Sequence, residues 1–338
     1  MPERRGSGVS LDRIILPAAR MADTPVFRTE VTTGAPVWVI GGVNMDISGT
    51  PAGPLRAGDS NPGRVTLAPG GVGRNIAENL RRMGRRVSLV SILGEDPYAD
   101  VIREHCRNTG IDMSCSFTDP LGHTPTYLCV NEENGDLHTA IADMTLCDQL
   151  TPARLEPILP LLNRGSFVIA DANLPEETLA WIGEKVTVPI AADPVSAAKA
   201  HRLRPLLPKL TFLKPNLQEA EILTGLSPEG SGSVARIAHA LHSLGVSRVY
   251  LSLGERGVWA DDGKEGALLS CFPGAIVNTT GCGDAFVAAA ADSCIRGLGT
   301  MECARRGLAA AAICAEDPSA VSPAMSAEEI AKRLAFNG

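Results

Sequence analysis

The sequence predicts one large α/β domain, built on a mainly parallel sheet covered by helices, with a small β-sheet lid. Two observations carry this. Beyond residue 160, short apolar runs of strand length alternate with helical segments, as a parallel sheet with crossover helices requires. Ahead of that stretch, two strand-like runs flank an Asn134-Gly135 pair, a hairpin signal outside the alternation. Composition agrees. Glycine is abundant and aromatic residues make up 4%, which suits many tight strand-to-helix turns, and a 44% hydrophobic share of 338 residues is ample for a sizeable core.

Residues 1–35 read as an untethered N-terminal extension, with Met21 as an alternative start. Arg4, Arg5, Arg13 and Arg20 make it mildly basic, and the cluster Leu11, Ile14, Ile15 and Leu16 is too short for a secretory signal. The domain then spans 36–330. Val37–Ile40 reads as the first buried strand, ending at Gly41-Gly42. Residues 47–69 are rich in Gly, Pro, Asp and Ser, with a short alternating segment at 64–67, so they are not helical. Ile76, Leu80 and Met83 follow helical spacing, Gly84 stops that helix, and 87–93 is the next strand. Residues 125–130 and 137–141 form the hairpin. The lid therefore comes from about 47–69 and 118–142. Further strands fall at 167–170, 188–192, 211–213 and 248–252, with helices at 176–186 and 217–223. Two Ala-rich helices at 285–296 and 301–315 follow.

The formal net charge of −7 argues against broad nucleic-acid or membrane-surface binding. No apolar run approaches the roughly 20 residues of a membrane span. The nine cysteines contain no CxxC pair and no zinc-like Cys/His spacing, which fits a reducing cytoplasm better than a disulfide scaffold. His239 and His242 stand three apart on a helix, but without a third ligand nearby they read as a solvated face.

The strongest chemical signal is Asn278-Thr279-Thr280-Gly281-Cys282-Gly283-Asp284 ahead of an apolar helix. Its glycines permit close backbone approach, and amides at a helix start face an anion. An aspartate there would repel a phosphate, so two readings stand: Asp284 takes a proton from an attacking hydroxyl, or it caps an ordinary helix. At the other end of the chain, Asn44 and Asp46 share one face of an extended segment, as a pair holding vicinal hydroxyls would, or as turn-capping residues. Gly70-Gly71-Val72-Gly73-Arg74-Asn75 enters a helix, with Gly71 as a close-approach glycine and Asn75 as a polar anchor. It is not a dinucleotide-binding turn, because Ile76 stands where the third glycine belongs. Asp171-Ala172-Asn173 ends a strand, where α/β ligand sites collect, and reads equally as a helix cap. The P-loop pattern and the protein-kinase set are absent from the sequence.

Together these segments resemble the ribokinase-type (PfkB) sugar kinases from about Val37 to Pro323. The family pattern runs strand, Asn-x-Asp, Gly-Gly-x-x-x-Asn, then Asp-Thr-x-Gly-Ala-Gly-Asp. The resemblance implies a three-layer α/β/α sandwich with a β-sheet lid. It implies Asp284 as catalytic base, an anion hole from the amides of Gly281, Cys282 and Gly283, and ribose contacts from Asn44, Asp46, Gly71 and Asn75. The run Leu213-Lys214-Pro215-Asn216-Leu217-Gln218-Glu219 carries the Asn-x-x-Glu element, which implies Mg²⁺ positioned by Asn216 and Glu219 through water. Ser252, Gly254 and Gly257 fall in the loop that borders ATP in the family. Cys282 replaces the usual Ala. Asn278 replaces the usual first Asp, so the monovalent-cation site is left open and weak potassium activation is expected. A homodimer through the lids is implied as well.

The finer resemblance is to pseudouridine kinases, through Ser60-Asn61-Pro62-Gly63, the run Gly-Gly-Val-Gly-Arg-Asn-Ile-Ala, Asp193-Pro194-Val195-Ser196-Ala197 with Lys199, and the Asn278 variant of the turn. It implies phosphorylation of the ribose 5′-hydroxyl, with Thr126, Asp143 and Lys199 as candidates for reading the base. Another acceptor (ribose, fructose or adenosine) would use the same catalytic residues. A non-catalytic sugar sensor would be expected to have lost Asp284 or the glycines beside it.

Overall fold

The computed structural model describes residues 34–133, 136–230 and 232–336. Most of the predicted N-terminal extension and the Asn134-Gly135 turn lie outside the described residues.

The strands in chain order are β1 Val37–Ile40, β2 Asn44–Pro51, β3 Gly63–Gly70, β4 Val87–Val90, β5 Ile92–Leu93, β6 Phe117–Thr118, β7 Thr126–Asn131 and β8 Leu137–Asp143. They continue with β9 Phe167–Asp171, β10 Ile190–Asp193, β11 Leu210–Leu213, β12 Val249–Ser252, β13 Val258–Asp261 and β14 Gly266–Leu269. The helices are α1 Val72–Arg82, α2 Pro97–Thr109, the single turns α3 Pro152–Leu155 and α4 Leu159–Leu162, α5 Glu176–Lys185 and the single turn α6 Ala197–Ala200. After them come α7 Leu217–Thr224, α8 Ser233–Ser243, α9 Cys282–Ile295, α10 Thr300–Ala315 and α11 Ala327–Phe336.

Eight strands form the main sheet in the order β14-β13-β12-β11-β10-β9-β1-β4. The six from β12 to β4 are parallel; β13 runs antiparallel to both its neighbours and leaves β14 at the edge. Side chains alternate between two cores, as strand pleating demands. Val37 and Val39 enter the core beneath α1, α2, α9 and α10, while Trp38 and Ile40 enter the core on the other face. The result is a three-layer α/β/α sandwich.

The β13–β14 pair was not anticipated from the sequence. The predicted strand at 87–93 is also broken, at Ser91. Its hydroxyl donates to the Gly41 carbonyl at 2.7 Å and its amide donates to Ser116 Oγ at 3.1 Å. These bonds replace the ladder to β1, so β5 leaves the main sheet and pairs with β6 instead.

The lid is a four-stranded sheet, β3-β2-β7-β8, in which β2 pairs parallel with β7 and antiparallel with β3. Register lines Leu67, Ile47, Leu128 and Ile141 side by side across it. Leu67, Leu128 and Ile141 in that row are exposed.

Helix α9 is buried on nearly every side, from Asp284 through Ser293. Only small side chains allow a helix to sit this close to both a sheet and α10, which explains the run Ala288–Ala291. Gly307 of α10 belongs to the same contact, since a Cβ there would overlap the Phe286 ring. The packing fixes the N-terminus of α9 and everything carried on it. Among the described residues, no helix is long and apolar enough to cross a membrane, and all nine cysteines are free thiols.

Candidate active site

The carboxyl ends of the parallel strands and the N-terminus of α9 converge. Gly281 caps α9 with φ 84, a left-handed conformation that favours glycine, and a Cβ there would land on the Ala320 carbonyl oxygen. No side chain caps the helix, so Asp284 is not the N-cap of the alternative reading. It sits in the first turn, buried, and its Oδ2 accepts from Asn75 Nδ2 at 2.7 Å. The predicted anion-hole amides are not equivalent. That of Cys282 donates to the Thr279 carbonyl at 3.3 Å, while those of Gly281 and Gly283 have no carbonyl partner among the described residues.

Lys214, at the carboxyl end of β11, lies over this turn. A Cβ on Gly283 would come within 2.9 Å of Lys214 Nζ. The residue is 9% exposed, and its ammonium makes no hydrogen bond or ion pair among the described residues. A cation held this way favours an incoming anion. Lys214 falls inside the Asn-x-x-Glu run, with no role assigned from the sequence. Its position at a strand's carboxyl end, two residues before Asn216, was the available signal.

Asp171 and Asp193 stand on the neighbouring strands in register. Asp171 accepts from the amides of Gly42 at 2.8 Å and Asn173 at 2.9 Å, which pins the first turn. It caps no helix, because α5 begins after Pro175. Burial pushes the Asp171 carboxyl up to about 6. Asp284 is pushed up to about 8, by burial first and by Asp193 next; Asn75 and Lys214 act against the rise.

On the lid side, Asn44 Nδ2 donates to Asp46 Oδ1 at 2.6 Å, so the pair shares one face as predicted. The Asp46 carboxylate lies where a Cβ on Gly70 would be, and burial raises its pKa against the pull of Asn44 and Arg74. Gly71, at φ 99, passes close over the Gly42 carbonyl and brings the start of α1 against the first turn. Register places Thr126 beside Met45 and Tyr127 beside Asp46. Of the two, Tyr127 shares the Asp46 face; its hydroxyl is pushed up by burial, Cys129 and Asp46. Asp143 pairs across the strands with Thr126, lies exposed, and is held low by hydrogen bonds from Thr145. Lys199 donates to Asn173 Oδ1 at 2.6 Å.

Asn216 and Glu219 close a capping box at the start of α7: Asn216 Oδ1 accepts from the Glu219 amide at 2.9 Å, and the Asn216 amide donates to Glu219 Oε2 at 2.8 Å. Glu219 is buried; its carboxyl is raised by that burial and by Asp193, with Lys214 acting against. Among the described residues no group of three His, Cys, Asp or Glu is gathered as a metal cage. This donor set fits a Mg²⁺ held through water and phosphate oxygens, and not one ligated fully by protein. Ser252 donates from both its amide and its hydroxyl to the Pro215 carbonyl, at 2.9 and 3.2 Å, and so ties the Gly254–Gly257 turn to Asn216. Asn278 donates to the Pro318 carbonyl at 3.0 Å and accepts from the Thr280 amide at 3.0 Å, which uses its amide to hold the turn. His242 is committed to Asp261 Oδ1 at 2.9 Å and the Val246 carbonyl at 2.8 Å, so the two helical histidines form no metal pair.

Comparison with known proteins places this geometry. The sequence matches the family described as pfkB family carbohydrate kinase over residues 35–327. It is 35% identical over 271 residues to the pseudouridine kinase of Escherichia coli (strain K12), covering 80% of this chain and 87% of that protein. An uncharacterized sugar kinase of the same organism, YeiI, is 34% identical over 293 residues, with coverages of 86% and 81%. Among solved structures, a carbohydrate kinase from Agrobacterium tumefaciens superposes with a TM-score of 0.79 at 32% identity, covering 89% of this chain and 97% of that one. Arabidopsis thaliana ribokinase complexed with ribose and ATP shares the fold, with a TM-score of 0.79 at 23% identity and coverages of 89% and 99%.

Proposed function

The chain belongs to the pfkB family of carbohydrate kinases, and from that premise we propose that it transfers the γ-phosphoryl group of ATP to the ribose 5′-hydroxyl of pseudouridine. The observation that carries the chemistry is the buried pair of Asp284 and Asn75 at the uncapped start of α9, beneath the ammonium of Lys214. Asp284 accepts the 5′-hydroxyl proton as that oxygen bonds to phosphorus and the bond to the β-phosphate oxygen breaks, releasing ADP. The Gly281 and Gly283 amides, with Lys214, stabilise charge on the γ-phosphoryl oxygens. Asn216 and Glu219 would hold Mg²⁺ through water, and the bound ion would neutralise phosphate charge. Asn44 and Asp46 hold the ribose hydroxyls, with the lid excluding water.

Pseudouridine as acceptor rests on the 35% identity to a pseudouridine kinase and on the loop Asp193-Pro194-Val195-Ser196-Ala197. Val195 is the one non-glycine residue with positive φ (66) among the described residues, and strain of this kind gathers at functional sites. Tyr127 joins Thr126 and Asp143 on the lid, and Lys199 of α6, as a candidate for reading the base. The free thiols support a reducing, cytoplasmic setting. The test is competition among pseudouridine, adenosine, ribose and fructose at saturating ATP, reading phosphorylated products by mass. Pseudouridine is expected to be consumed first; preferential use of ribose or fructose would overturn the acceptor assignment and leave the kinase chemistry standing.

A homodimer is part of the same proposal. The exposed row of Leu67, Leu128 and Ile141 would be covered by the lid of a second copy. Sedimentation at micromolar concentration should give a dimer, and Ile141→Glu should give a monomer. A wild-type monomer under those conditions removes this element.

A further inference from the structure

Asn75 joins the acceptor side of the site to the phosphate side, and one orientation of its amide satisfies both neighbours. Its Nδ2 donates to Asp284 Oδ2, and its Oδ1 accepts from Arg74 Nη2. A guanidinium has donors only, and an ionised carboxylate has acceptors only. Turned end over end, the amide would set donor against donor and acceptor against acceptor. We propose that Arg74 is a positioning residue for phosphoryl transfer, locking the Asn75 amide so that its NH₂ group holds the Asp284 carboxylate toward the acceptor hydroxyl. This rests on the reading of Asp284 as the base.

The surroundings of Arg74 form a built support. Arg74 is 3% exposed, and its Nη1 meets Glu78 Oε2 at 2.5 Å. Glu78 is also held by Arg82 at 2.7 Å and by His105 at 2.8 Å. Burial pushes the Glu78 carboxyl up, but His105, Arg74 and Arg82 outweigh it and hold it at about 2. Arg74 therefore keeps an ionised partner throughout the working pH range. A continuous chain of polar contacts runs from partly exposed His105 through Glu78, Arg74 and Asn75 to Asp284. Buried ion pairs of this kind seldom add net stability over apolar residues, so stability alone is a weak reason for one beside a catalytic site.

The charges around Asp284 give the contact its consequence. Asp193 of β10 and Asp171 of β9 oppose its ionisation, while Asn75 of α1 and Lys214 after β11 favour it. Cys314 of α10 is a further titratable group that interacts with Asp284. With Arg74 truncated, the Asn75 amide is free to turn, and one of the two groups favouring ionisation is lost.

The experiment is the pH profile of kcat/KM for Arg74→Met and Arg74→Lys, run on whichever acceptor the wild type uses best. A wrong acceptor assignment then leaves this test intact. For Arg74→Met the acid limb should move up by about one pH unit, so activity near neutrality falls about tenfold and recovers at alkaline pH. Arg74→Lys, still a donor only, should keep the limb near its wild-type position. If Arg74→Met folds poorly, Arg74→Met with Glu78→Gln keeps the buried charge balanced and should show the same displaced limb. A uniform fall at all pH values with the limb unmoved would assign Arg74 a structural role and overturn the proposal, as would an unchanged profile. If Asp284→Asn retains full turnover, the reading of the base fails first, and independently of Arg74.

Discussion

Asp284→Asn should lower turnover by at least ~10²-fold while the chain remains folded, the usual scale of a lost general base. The substitution is nearly isosteric, and Asn retains an oxygen to accept from Asn75 Nδ2, so the buried contact survives. What is lost is the capacity to take the acceptor's proton. ATP affinity should hold or rise, since a carboxylate facing phosphates is removed. The wild type should show an acid limb in kcat/KM far above the ordinary carboxylate range. Asp284 is pushed up to about 8 and must be ionised to act, so the rate falls as pH drops through that value. Stability runs the other way. The folded value lies above the unfolded one, near 4, so the contribution of Asp284 is present at low pH and lost as pH rises through about 8. The Asn variant should therefore gain stability relative to wild type toward alkaline pH, by about 1–2 kcal/mol, or roughly 1.5–3 °C in Tm. Near-normal turnover in a folded variant would remove Asp284 from the mechanism.

Lys214→Met should cost roughly 10²–10³-fold in kcat, the range seen when one preorganised group facing developing charge is removed. Met keeps the apolar stem of the side chain, so the change is confined to the ammonium over Gly283. The loss should fall on kcat more than on the KM for the acceptor, because in the proposed chemistry the cation would face phosphate oxygens and not the sugar. The acid limb should also move upward, since Lys214 favours the ionised form of Asp284. Steady-state kinetics across pH separate these effects. A variant with wild-type kcat would show that Lys214 only fills space.

The sequence made the six parallel strands and helices α1, α5, α7, α9 and α10 legible because the apolar periods are clear there, but not β13, β14, α2 or α11. The Ala-rich segment from 285 announced a helix, while the chemistry of Asp284 at its head left base and helix cap both open, and only the family resemblance favoured the base. Contacts between distant segments were not legible. Nothing in the order of residues says that Asn75 meets Asp284 across 209 positions, or that Lys214 lies over Gly283. The choice between Thr126 and Tyr127 turns on a one-residue register, which decides the face of a strand and is set by pairing to β2. The break at Ser91 depended on hydroxyl bonds to Gly41 and from the Ser91 amide to Ser116, which an apolar run conceals. The burial of Arg74 against Glu78 was not legible either, because a basic residue at a helix start ordinarily faces solvent.

The central claim is recognition of pseudouridine, and its most direct test is kcat/KM for pseudouridine against uridine in one reaction with saturating ATP. The two share a ribose, so ribose contacts from Asn44, Asp46 and Asn75 would treat them alike. They differ at N1, which carries a hydrogen in pseudouridine and the glycosidic bond in uridine. A site that accepts a hydrogen bond from N1–H leaves its acceptor unpaired against uridine, at a cost of about 1–3 kcal/mol. The account predicts a preference for pseudouridine of roughly 5- to 150-fold. Equal use of the two nucleosides would contradict it.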